Sequence, residues 1–103
     1  MIKLFNMVKK ALLVRLEAKP GKEKELEDFL NSGLALAQAE PDTVNWYAIR
    51  INNSTFGIFD TFDADAGRDA HLNGAIAKAL MEKAADLLAG NPVIEKADVL
   101  AAK

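Results

Sequence analysis

The chain has 103 residues and a mass of 11.2 kDa; half of it is hydrophobic, 27% is charged, and the formal net charge is -2 at pH 7. A chain of this length makes one domain, and its mildly acidic balance offers no basic field to draw in nucleic acid. The absence of cysteine excludes disulfides, thiolate metal sites and thiol catalysis, and leaves the redox compartment open.

Lys10 to Ala18 alternates, with Leu12, Val14, Leu16 and Ala18 on one face and Ala11, Leu13, Arg15 and Glu17 on the other. Period two with one apolar face predicts a half-buried strand. Pro20-Gly21 breaks it. The next segment opens with Glu23 and Glu25, where the helix macrodipole favours anions, and continues with Leu26, Phe29, Leu30, Gly33, Leu34 and Ala37 at helical spacing. Pro41 disfavours helical geometry at Glu40, so this helix is expected to end there.

Val44 to Asn52 predicts a second strand, with Tyr47, Ile49 and Ile51 on one face and Trp46, Ala48 and Arg50 on the other. Asn52-Asn53-Ser54 has hairpin turn chemistry. Thr55 to Phe62 returns as a third strand, with Phe56, Ile58, Asp60 and Phe62 on one side. The loop register decides whether Trp46 shares a face with Phe62 or with Thr61.

Asp63 or Asp65 is expected to cap the following helix, which carries the only histidine, His71. Asn73-Gly74 is a point of kinking or interruption before Ile76, Leu80, Ala84, Leu87 and Leu88 continue an apolar stripe. Gly90-Asn91-Pro92 stops it, and Val93 to Ala101 predicts a final strand. The order β-α-β-β-α-β is the ferredoxin-like arrangement of an α+β domain with a four-stranded antiparallel sheet. Two helices cover one face of such a sheet. The other face, expected to carry Leu13, Trp46, Ile58, Phe62 and Leu100, is too apolar for water and predicts a homodimer formed through it.

The stretch TFGIFDTFDADAGRDAHLNGAIAKAL, Thr55 to Leu80, runs from an apolar strand through Asp60 and an acidic turn into a helix bearing Ala-His-Leu. It resembles the core signature of the antibiotic biosynthesis monooxygenase (ABM) family, small proteins that pair into a dimeric α/β barrel. The resemblance covers residues 9–103, with residues 1–8 as an N-terminal extension. It implies a cofactor-independent monooxygenase, without metal or flavin, acting on a small quinol or polycyclic phenol. A base removes a phenolic proton and the resulting anion gives an electron to O2. On that resemblance His71 is the candidate base, Arg50 or Arg15 the anion stabiliser, and Trp46, Phe56 and Phe62 aromatic walls. Asp60 orients a partner, and its simplest role is an ion pair with Arg15 or Arg50. The alternative is a non-catalytic barrel that binds a small hydrophobic metabolite in a stress or sensing role. An isomerase or haem-binding relative is a third reading, since fold does not fix function.

Departures from the family pattern narrow these expectations. Phe62 stands where many relatives have tryptophan, and Lys10 to Ala18 has no asparagine, so haem degradation is disfavoured. The motifs GxGxxG, GKT and HExxH are absent. No apolar stretch approaches the roughly 20 residues that cross a bilayer, and MIKLFNMVKK lacks the features of a secretion signal. The expected location is the cytoplasm.

Overall fold

A four-stranded antiparallel sheet, its strands in the spatial order second, third, first and fourth along the chain, carries three helices on one face. The structure is a computed structural model and describes residues 8–103. Of the expected extension 1–8, residues 1–7 lie outside the described residues, while Val8 is buried. The elements are β1 (Lys10–Glu17), α1 (Glu23–Gln38), β2 (Asn45–Arg50), β3 (Thr55–Phe62), α2 (Asp65–Leu72), α3 (Ala75–Leu87) and β4 (Val93–Asp98). The ferredoxin-like order is present, with the second helix divided in two.

Local chemistry accounts for these boundaries. Gly21 takes the only positive φ among the described residues, +84°, in the turn that lifts the chain off β1. Helix α1 has Glu23 and Glu25 in its first turn and gives way at Ala39, two residues before Pro41. The cap of α2 differs from expectation: Ala64 occupies the N-cap with no side-chain hydrogen bond, and Asp65 is the first helical residue. There it benefits from the helix dipole and pairs with Arg68 at 3.1 Å. At Asn73-Gly74 the helix stops outright. Asn73 donates to the Asp69 carbonyl and the Gly74 amide to the His71 carbonyl, and α3 restarts at Ala75.

The hairpin register pairs Trp46 with Asp60, Ala48 with Ile58 and Arg50 with Phe56. Leu12, Val14 and Leu16 pair in turn with Asp60, Ile58 and Phe56. Directly paired residues share a face, so Trp46 does stand with Ile58, Asp60 and Phe62. That face, however, is the one the helices cover. The core lies there, built from Leu12, Val14, Leu16, Phe56, Ile58 and Phe62 against Leu26, Leu30, Ile76, Leu80 and Leu87. The expected composition of the helix-free face is thus corrected. It carries Leu13, Tyr47, Ile49, Phe59 and Val93, set in rows such as Tyr47–Phe59–Leu13. The misassignment arose because both faces of β3 are apolar, so alternation alone does not say which one meets helices.

Candidate functional site: an aspartate–histidine–glutamate cluster beside an apolar cavity

Helix α2 buries Gly67, Arg68 and His71, a stripe at helical spacing that faces the sheet. A side chain at Gly67 would put its Cβ 3.1 Å from Asp42 Cβ and 3.2 Å from the Asp42 carbonyl oxygen. Glycine therefore lets the Glu40-Pro41-Asp42 turn press onto α2. Because Pro41 keeps Glu40 out of α1, its carboxylate projects from the helix end toward His71.

His71 lies between two carboxylates. Its Nδ1 is 2.5 Å from Glu40 Oε1, and its Nε2 is 2.8 Å from Asp60 Oδ2. Thr43 donates a further hydrogen bond to Glu40 Oε1 at 2.8 Å. Asp60 is fully buried and His71 is 8% exposed. Phe62, also fully buried, tilts its ring against the imidazole with centroids 5.4 Å apart. Burial pushes the His71 pKa down, but the close approach and charges of Asp60 and Glu40 outweigh it, and the net shift is upward. His71 is thus biased toward imidazolium with both ring nitrogens engaged.

Four buried polar atoms here have no hydrogen-bond partner among the described residues, Glu40 Oε2 among them. Asp60 Oδ1 has none, and Oδ2 meets His71 as an ion pair outside hydrogen-bonding alignment. The buried indole nitrogen of Trp46 has none either. Trp46 and Asp60 are direct register partners on one face. Between the sheet and the helices is an apolar cavity of about 40 Å³, walled by Leu12, Trp46, Ile58, His71, Leu72 and Ile76 among others. At roughly 10–15 Å³ per water, that is room for a few waters. It is too small for a polycyclic phenol as it stands. Among the described residues no group of three or more His, Asp or Glu side chains is disposed to hold a metal ion.

The structure brings together His71, Asp60, Trp46 and Phe62 and separates the other candidates from them. Arg15 is exposed on the helix-free face, opposite to Asp60. Arg50 shares the face of Asp60 but lies at the far end of β2, where it pairs with Glu27 and stacks 4.9 Å over Phe56. The expected contact between Asp60 and an arginine is therefore absent, and a histidine fills that role. Phe56 is buried in the core and is no part of the cavity wall. Sequence reasoning missed Glu40. Its one local signal is its position before Pro41, and its partner His71 lies 31 residues away.

Comparison with known proteins fits this geometry. The NE2512 protein of Nitrosomonas europaea, described as of unknown function, has a solved structure that superposes with a TM-score of 0.93. It is 60% identical, with 94% of each chain covered. The chain belongs to one family with that protein. A "putative antibiotic biosynthesis monooxygenase", also from Nitrosomonas europaea, superposes with a TM-score of 0.80 at 14% identity, covering 89% of this chain and 99% of the other. A protein so described from Caulobacter crescentus gives 0.78 at 20% identity, with 96% of each chain covered. The fold is ABM-like. No family model matches the chain, and no curated protein matches it.

Proposed function

We propose that this ABM-like protein is a cofactor-free oxygenase of a small, one-ring phenol or quinol held between its sheet and its helices. The observation supporting this reading is the apolar cavity walled by Trp46 and His71, with the carboxylate of Asp60 directly behind them. An electron-rich phenol needs an apolar enclosure, a base and a cation to hold the anion formed. His71, biased toward its charged form, suits the cation rather than the base. The base is then Asp60, whose Oδ1 is unpartnered. Arg15 and Arg50, both remote, have no part in this step. Engineered cavities that take benzene measure about 150 Å³, so the site must widen to admit a ring. The outer wall of the cavity is α3, through Ile76, Ala77 and Leu80, which the Asn73-Gly74 break separates from α2.

The proposal includes a homodimer through the helix-free face, where Leu13, Tyr47, Ile49 and Val93 are each at least 40% exposed. Patches of this kind mark interaction surfaces. No helix among the described residues is long and apolar enough to cross a membrane, and the cytoplasm is the proposed location.

The test is oxygen uptake by metal-free protein on addition of a panel of one-ring hydroquinones. Turnover above the rate of autoxidation is expected. Its absence across the panel removes the oxygenase reading. A non-catalytic binding module for a small hydrophobic metabolite then takes its place. That second reading is favoured by the engagement of both His71 nitrogens, which leaves the imidazole no free lone pair.

A further inference from the structure

A buried carboxylate oxygen without a donor and a buried indole N–H without an acceptor are each costly, and native structures rarely leave either so. Here the two occur on one directly paired couple, Asp60 and Trp46. The Cβ atoms of such a pair stand about 4.5–5.5 Å apart, so the side chains rise side by side from the sheet. Leu12, Ile58 and His71, which surround Asp60, are all walls of the cavity, as is Trp46 itself. Asp60 is fully buried, and its other oxygen meets His71 Nε2 only as an ion pair at 2.8 Å. On this pair what is left is one acceptor, behind the Leu12–Ile58–His71 wall, and one donor, on a residue of the wall itself.

We infer that Asp60 Oδ1 and Trp46 Nε1 form a hydroxyl-reading pair that selects the ligand of this cavity. A hydroxyl can donate one hydrogen bond and accept another. Its proton goes to Asp60 Oδ1, and its oxygen accepts from Trp46 Nε1. An ether or ketone satisfies Trp46 alone, an ammonium satisfies Asp60 alone, and a hydrocarbon leaves both unpaired. A site with buried polar groups rejects ligands that cannot pair them far more strongly than an apolar pocket rejects a missing methylene. The inference rests on the proposed cavity reading and adds its specificity: the ligand is hydroxylated at the end that meets the β2–β3 pair. A resident water, which needs two to four polar partners, is the alternative occupant.

Trp46 is the only tryptophan, so its indole N–H gives a single resonance in a nitrogen-15 correlation spectrum. Phenol, anisole and toluene share ring size and differ in the hydroxyl, so titrating each against the wild-type protein isolates its contribution. Phenol is expected to bind at least about tenfold more tightly than anisole or toluene and to shift the indole N–H resonance downfield. Trp46→Phe should erase that preference, read as the ratio of phenol to toluene affinity within the variant itself; should this variant not fold, the wild-type series decides alone. Equal binding of all three ligands overturns the hydroxyl pair and leaves the apolar cavity reading intact. Phenol preference without movement of the indole resonance also overturns the pair, since the hydroxyl is then read elsewhere. Failure of all three to bind at millimolar concentration overturns both the pair and the cavity reading.

Discussion

Replacing Asp60 is the most direct probe of the buried cluster. Asp60→Ala removes a fully buried carboxylate and leaves His71, 8% exposed, with Glu40 as its remaining ionic partner. Stripping one partner from a buried ion pair costs about 3–5 kcal/mol when the other charge is left alone. Here the imidazole keeps Glu40 and can also shed its proton, so the cost is nearer that of an unsatisfied buried group, about 1–3 kcal/mol. For a domain of this size each kcal/mol moves the Tm by about 4–8 °C. Asp60→Asn preserves the shape and isolates the charge.

The pH dependence carries the signature of histidine. The folded-state pKa of His71 is raised, so the folded protein holds its proton where the unfolded chain has released it. The resulting stability is fully present below the unfolded pKa, near 6.5, and is lost as pH rises through the folded value. Urea denaturation of wild type and Asp60→Asn between pH 6 and 9 should therefore show the wild-type advantage shrinking with rising pH. Glu40 and Asp60 are the charged groups that face the ring, and Glu40→Gln should reduce the same slope. A gap below about 0.5 kcal/mol for Asp60→Ala, small beside the 1–3 kcal/mol of a lost buried partner, would refute the cluster. A gap constant across the pH range would refute the assignment to His71.

Three further expectations concern the frame around the site. Arg68 donates to the carbonyls of Ala11 and Ala97 and pairs with Asp65, joining α2 to β1 and β4; Arg68→Ala should cost roughly 1.5–3 kcal/mol, read by thermal and urea unfolding. A Cβ at Gly33 would lie 3.1 Å from Ile76 Cδ1 and 3.4 Å from Trp46. Gly33→Leu should accordingly fill the cavity and abolish one-ring ligand binding in calorimetry, at an overpacking cost of about 1–3 kcal/mol. The helix-free face predicts a dimer by light scattering at micromolar concentration, and Ile49→Lys, which sets a charge among its apolar residues, should shift that mass toward the monomer.

The element order was legible because each break has a local chemical cause: Pro20-Gly21, Pro41, Asn52-Asn53-Ser54 and Gly90-Asn91-Pro92 all fall between observed elements. The strand ends were less so. The expected final strand to Ala101 stops at Asp98, where β4 runs out of partners on β1 at Lys10. Pairing partners decide strand ends, and no periodicity within the strand reports them.

The site was half legible for a related reason. His71, Asp60, Trp46 and Phe62 could be nominated because chemistry-bearing residues on consecutive elements tend to converge. Glu40 could not, because only the packing of the Glu40-Pro41-Asp42 turn against Gly67 brings it to the histidine. That one contact alters the reaction assigned to the histidine. Without a carboxylate on each nitrogen, a histidine near its ordinary pKa is a natural base. With carboxylates on both nitrogens it is biased toward the cation, the form that cannot accept a further proton. The residue identified from sequence therefore stands where expected, while its chemical role is set by a residue that sequence did not point to. Removing Glu40, rather than His71, is the substitution that returns the imidazole toward base chemistry.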